Sequence, residues 1–230
     1  MISVNRIRRR KSGFRVNNWI LDSGAFTELS TFGAFRHSVA EHAEQVNRWA
    51  ELGNLQAAIT QDYMCEPFIL AKTGLSVAEH QKRTIGRYAE LVDRCPAAYI
   101  MPVLQGYQPE EYASHLHQYG KLLHSGQWVG VGSVCKRNGT SAAIEDVLTA
   151  ITDERSDLKL HGFGLKKTAL ESPTVRELLH SCDSAAWSYH ARRNNADRHD
   201  PREALAYCAE VEMLLGEPGF VQPQLFKWWI

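Results

Sequence analysis

No stretch of this 230-residue chain is long and apolar enough to suggest a membrane span. The longest apolar runs, such as AAYIMPVL at 97–104, fall far short of the ~20 residues that a spanning helix needs. The opening MISVNRIRRRKSGF is basic but has neither an apolar centre nor a cleavage site, so it does not read as a secretory signal. The five cysteines (Cys65, Cys95, Cys135, Cys182 and Cys208) are odd in number and widely spaced. That excludes a disulfide framework and points to a reducing, cytoplasmic setting. CxxC and HExxH are both missing, so no metal and no cofactor is expected. Lysine and arginine total 26 against 26 acidic residues, which removes any global electrostatic case for a nucleic-acid partner. No Pro/Gly/Ser-rich linker and no repeat divides the chain. The expectation is one domain over 1–230, with a basic N-terminal arm at 1–17 and a tail at 217–230.

What the chain does have is a regular alternation of apolar runs and amphipathic stretches. Strand-like runs are expected at 18–24, 55–63, 97–106, 127–134, 158–165 and 181–189, each followed by a helix-like segment. Helices are expected at 38–52, 76–92, 109–123, 141–151, 172–180 and 200–215. Their starts carry Ser76 with Glu79 in capping-box spacing, Pro109 in a first turn, and Asp200-Pro201. Six β-then-α units running one way imply a parallel sheet covered by helices, either doubly wound or closed into a (β/α) barrel. An eight-unit barrel takes ~250 residues, so a reduced or irregular TIM-type barrel is expected, with GFRVN at 13–17 as a source of one more strand.

In either architecture function collects at the C-terminal ends of the strands. The residues there are Asp22, Gln61-Asp62, Gln105-Gly106, Gly130 with Gly132 and Ser133, His161 with Gly164, and Asp183. One aspartate at a strand tip is ordinarily a cap or a turn former. Three carboxylates and an amide at successive strand ends ask for a common purpose.

The same segments carry a resemblance. LDSGAF (21–26) resembles the Asp-Ser-Gly-Gly-Phe/Tyr segment of queuine/archaeosine tRNA-guanine transglycosylases, and VLQG (103–106) their Val-Gln-Gly strand end. GVGSV (130–134), LHGFG (160–164) and CDSAAWSYHARRNN (182–195) follow in the family's order. The likeness is greatest to the DNA-modifying members, the deazapurine-in-DNA transglycosylases of phages and bacterial genomic islands. The tRNA enzymes carry a Cys-x-Cys-x-x-Cys plus His zinc site after the nucleophile, where this chain has only Cys208. The chain also has no room for an added RNA-binding domain. Both departures favour DNA.

The resemblance implies a base exchange in which guanine in DNA is replaced by a free 7-deazaguanine such as preQ0. For a phage-encoded member this would take place in the host cytoplasm. Exchange at C1′ with retention calls for two displacements and a covalent sugar intermediate, for which a carboxylate is suited. Asp183 matches the nucleophile and Asp22 the carboxylate that shuttles protons. Asp62, Gln105, Gly132 and Ser133 would read the base edge. Phe26 would stack on it, and His161 with Gly162 would line the opposite face. A base within a duplex must be flipped out, which requires phosphate contacts. Lys136-Arg137, Lys166-Lys167 and Arg192-Arg193 lie just past three strand ends, and Arg8, Arg9 and Arg10 lie in the arm. A homo-oligomer or an accessory DNA-handling protein would suit so small a chain. Two alternatives stand beside this reading: the same exchange on tRNA, and a non-catalytic nucleic-acid-binding barrel whose carboxylates are caps.

Overall fold

The computed structural model describes residues 1–137, 140–193, 197 and 200–216, with side chains except at 136 and 190–193. The strands are β1 (Ile2–Ser3), β2 (Asn18–Asp22), β3 (Asn54–Ile59), β4 (Ile100–Met101), β5 (Val103–Leu104), β6 (Trp128–Val131), β7 (Lys159–Gly162) and β8 (Ser181–Cys182). All pairings among them are parallel and join strands adjacent in sequence, giving two sheets in the orders β1-β2-β3-β4 and β5-β6-β7-β8. The break between the sheets falls at Pro102, which has no N–H to give to a ladder. Its carbonyl still accepts from Gly130 N–H at 2.9 Å, so the chain keeps its course across the gap.

The helices follow the strands. They are α1 (Val4–Ile7), α2 (Ala25–Phe32), α3 (Val39–Trp49), α4 (Pro67–Thr73), α5 (Val77–Arg94), α6 (Pro109–Tyr119), α7 (Ser141–Glu154), α8 (Lys167–Leu170), α9 (Pro173–Leu178), α10 (Ala186–Arg193) and α11 (Pro201–Leu215). Their starts obey local chemistry. Ser38 and Glu41 close a capping box on α3, Ser76 caps α5 through Glu79 N–H, and Pro109 and Pro201 occupy first turns. The six helices expected from periodicity are present with ends shifted by a few residues. The short α1, α2, α4, α8 and α10 were not foreseen. Residues 13–17 hold no strand, and the additional strand is Ile2–Ser3, paired with Leu21 and Asp22. Val4 and Ile7, directly after it, are buried in the main core.

Core residues separate by strand face. Leu21, Ala58, Ile100, Leu104, Val129, Val131 and Leu160 pack with helix residues such as Val46, Leu91, Leu116 and Leu148. Ala57, Ile59, Met101 and Val103 form a separate cluster, with Ile20, Trp128 and Phe163 against it. That second cluster contains no helix residue. Strands buried on both faces read as continuous apolar runs, as a parallel sheet requires. The helix-free face leads to the site.

Candidate active site

Side chains alternate along a strand, so the face of Ile20, Val103 and Trp128 continues through Asp22, Gln105 and Gly132. On the last two strands, Leu160 and Cys182 pack toward the helices, which turns His161, Ser181 and Asp183 to the same helix-free face. β3 breaks the rule. Strict alternation from Ile59 would bring in Gln61, but the strand ends at Ile59. Gln61 instead binds the His37 carbonyl at 3.1 Å and Arg87 at 2.6 Å, and Asp62 turns inward.

Asp62 anchors a buried polar cluster. Gln105 donates from Nε2 to Asp62 Oδ2, and Ser23 Oγ stands 3.4 Å from Asp62 Oδ1. Gln105 Oε1 lies 2.8 Å from Ser133 Oγ, which is also 2.9 Å from Glu66 Oε2 and accepts Cys65 N–H at 3.0 Å. With one hydroxyl proton, Ser133 can donate to Gln105 or to Glu66 but not to both at once. Ser133 has φ +57°, the one non-glycine among the described residues in the left-handed region. Such a conformation costs about 1–3 kcal/mol and persists where the surroundings fix it. Beneath the cluster, Gln105 N–H donates to His115 Nδ1 at 2.9 Å, which leaves Nε2–H of the neutral ring facing the Gln81 carbonyl at 3.2 Å. Gln81 Nε2 in turn donates to the Gln105 carbonyl at 2.8 Å. Burial lowers the His115 pKa to about 3, so the ring stays neutral. Burial also raises Asp62 to about 7; the Gln105 hydrogen bond pulls the other way, and nearby Asp22 and Glu66 add to the rise.

The glycines here answer to packing. A Cβ at Gly132 would lie 2.1 Å from Gln105 Nε2, so only glycine lets that amide pass. The N–H of Gly132 itself donates to the Leu104 carbonyl at 2.9 Å. Gly162 is likewise occupied by packing, since a Cβ there would lie 2.6 Å from Leu165 Cδ1.

The other carboxylates converge from the two ends of the strand series. Asp22 and Asp183 are close enough to act on one another electrostatically, and both act on the Met1 amino group. Desolvation raises the pKa of Asp22, with the like charge of Asp183 adding to it. Hydrogen bonds from the Ser3 side chain and Gly24 N–H oppose the rise. Asp183 is buried and accepts Gly164 N–H on Oδ1 at 3.1 Å. His161, also buried, has Nε2 at 3.5 Å from the same oxygen. Ser3, Ser23, Glu66, Cys65 and Ser181 were not foreseen as parts of the site. Ser181, two positions before Asp183 and hence on its face, had a signal in the alternation, and Ser23 lies within the LDSGAF segment.

At the mouth, Phe26 is 46% exposed, and its ring centroid lies 6.4 Å from that of Phe68, which is equally exposed at the start of α4. Of the basic residues, Arg9 is exposed, and Arg137 lies over the Tyr107 ring at 4.6 Å. Three of the residues expected at phosphates have partners within the chain. Lys167 is paired with Glu210 of α11 at 2.7 Å. Arg10 folds back onto the carbonyls of Ser12 and Gly13, and Arg8 is half-buried near Glu28 and Glu41. Lys166 precedes α8 as its cap residue. The side chains of Lys136, Arg192 and Arg193, and the tail at 217–230, lie outside the described residues. Among the described residues no group of three His, Cys, Asp or Glu is arranged to hold a metal ion, and no helix is long and apolar enough to cross a membrane.

A single α/β domain with parallel strands and acids at and just past the strand ends defines a class of enzymes that work at the C-terminal rim of a sheet. The particular family follows from the sequence as a whole. The family described as DpdA, deoxypurine in DNA protein A, matches residues 1–211, and the chain belongs to it. Membership gives the chain a transglycosylase-type role in the modification of purines in DNA. No curated protein matches the chain.

Proposed function

We propose that this protein is a DNA-guanine transglycosylase that replaces guanine with a preQ0-like 7-deazaguanine through a covalent Asp183–C1′ intermediate. The observation that carries the reading is the pairing of Asp183, held through one oxygen, with Asp22, whose pKa is raised beside it. Asp183 attacks C1′ and the C1′–N9 bond breaks with its electron pair going to guanine. Protonated Asp22 gives guanine a proton. The incoming base then attacks C1′ through N9, Asp183 departs as carboxylate, and the N9 proton passes to Asp22. Asp62 and Gln105 read the base edge, displacing their mutual hydrogen bond as they do so, and Phe26 stacks on its face. Arg9, Arg137, Lys166 and the basic side chains past β8 meet the phosphates.

The strands are proposed to close into an irregular (β/α) barrel. Three things support this: strand order equal to chain order, a strand face whose cluster contains no helix residue, and the electrostatic reach between Asp183 after β8 and Asp22 beside β1. Membership in a DNA family favours DNA over tRNA as substrate. A raised Asp22 favours proton transfer over a cap that serves structure alone.

The test is incorporation of labelled guanine or preQ0 into DNA by the wild type and by Asp183→Asn. The wild type is expected to incorporate label and to give a trappable protein–DNA adduct. The variant is expected to lose both, with a rate loss on the order of 10⁴-fold or more, as for other covalent nucleophiles. Equal incorporation by the variant removes Asp183 from the mechanism.

A further inference from the structure

The polar chain behind Asp183 begins at an indole. Trp128 Nε1–H donates to Ser181 Oγ at 2.8 Å, and Ser181 Oγ lies 2.8 Å from His161 Nδ1. An indole nitrogen can only donate, so one lone pair of the hydroxyl is taken; the hydroxyl proton has no acceptor among the described residues other than His161 Nδ1, and the carboxylate oxygen facing Nε2 can only accept. That makes Nδ1 the acceptor. The neutral imidazole therefore carries its proton on Nε2, the atom that faces Asp183 Oδ1 at 3.5 Å. The ring is held edge-on by Trp128 and Phe163, with centroids 5.6 and 5.0 Å away. Nε2 has no other hydrogen-bond partner among the described residues, although His161 is only 1% exposed. A buried donor left without a partner is destabilising, and a shorter approach by Asp183 would supply the partner.

We propose that His161 is a positioning residue for Asp183: the Trp128–Ser181 pair fixes its tautomer, so that Nε2–H and Gly164 N–H both donate to Oδ1 and leave Oδ2 to react at C1′. This differs from the base contact expected from the sequence, and it rests on the reading of Asp183 as nucleophile. The distance of 3.5 Å is that of a contact which closes when substrate orders the carboxylate. The donors matter most in the second displacement. There the Oδ2–C1′ bond breaks, its electron pair returns to the carboxylate, and the returning charge spreads to Oδ1 between two fixed N–H groups.

Two measurements test the proposal. In the intact protein, ¹⁵N NMR of neutral His161 should show Nε2 protonated and Nδ1 bare, with Ser181→Ala weakening that preference; the opposite tautomer in the wild type overturns the proposal without any reference to activity. In the exchange assay, His161→Ala should lower kcat by about 10²-fold, the scale of losing one donor to developing charge. KM for the incoming base should stay near its wild-type value, and the trapped adduct should still form. His161→Gln, which restores an N–H near the Nε2 position, should recover most of the rate. Wild-type turnover in His161→Ala, or a rise in KM that glutamine does not rescue, overturns the positioning role while Asp183 stands. An adduct that survives Asp183→Asn instead overturns the nucleophile reading itself.

Discussion

Asp62 and Asp183 are both buried carboxylates at strand ends, yet their surroundings differ. Asp62 has a side-chain group against each oxygen, Gln105 on one and Ser23 on the other, within a lattice that runs on to Ser133, Glu66 and Cys65. Asp183 is approached on Oδ1 alone, and Oδ2 has no hydrogen-bond partner among the described residues. The first arrangement holds a shape; the second leaves an atom available for chemistry. Asp22 stands between them, bonded by Ser3 and Gly24 but raised by burial and by Asp183. The difference separates recognition from reaction, and mutation should separate them too.

The sharpest break is expected at Asp22. Asp22→Asn keeps the shape of the side chain but removes its transferable proton, so exchange should fall by about 10²–10⁴-fold, the usual worth of a positioned acid-base group. Any residual rate should lose its dependence on a group titrating above the ordinary carboxylate range. Folding stability should not fall, because the replaced carboxyl is one that burial disfavours as an anion. A pH–rate profile of the variant checks this, and an unchanged profile assigns proton transfer to another group.

On the recognition side, Gln105→Leu leaves Asp62 and Ser133 each short of a partner in a buried place. The expected cost is about 2–4 kcal/mol of stability, measured by denaturant unfolding, together with a rise in KM for the base that exceeds the fall in kcat. An equal fall in kcat and kcat/KM would place Gln105 with the reacting groups instead. Gly132→Ala should have a related but smaller effect, since the added methyl pushes the Gln105 amide away from Asp62 without removing it.

The reaction side of this contrast was more legible in the sequence than the recognition side. Asp22 ends β2 and Asp183 directly follows β8, and the alternation of those strands carries both side chains to the shared face, so pattern alone puts them there. Gln105 is legible for the same reason. Asp62 is reached only because β3 stops at Ile59 and the chain leaves strand geometry, a local event that no periodicity records. Glu66 precedes Pro67 at a helix start, where a carboxylate would be taken for a cap, and its role depends on Ser133 67 positions later. The strand at Ile2–Ser3 lies in a basic segment with too few residues for a pattern. It exists because Leu21 and Asp22 offer it a ladder. Salt bridges such as Lys167–Glu210 depend on where α11 returns, which is a tertiary fact.

The smallest of the expected effects tests the electrostatic half of the contrast through stability alone. The folded-state pKa of Asp62 is raised to about 7, so folding takes up a proton that the unfolded chain has already released. The stability this contributes is complete below the unfolded value near 4 and is lost as pH rises through about 7. His115, lowered to about 3, and His42, lowered to about 4 by burial, work in the opposite sense. Their contribution is complete above about 6.5 and is lost as pH falls toward those values. In the wild type the two trends offset each other between pH 5 and 7. Asp62→Asn removes one of them, so over that interval the stability of the variant relative to wild type should improve by roughly 2 kcal/mol. Denaturant unfolding at several pH values reads that difference directly. A difference that stays flat with pH would mean that Asp62 is ionised throughout, and that its lattice holds an anion.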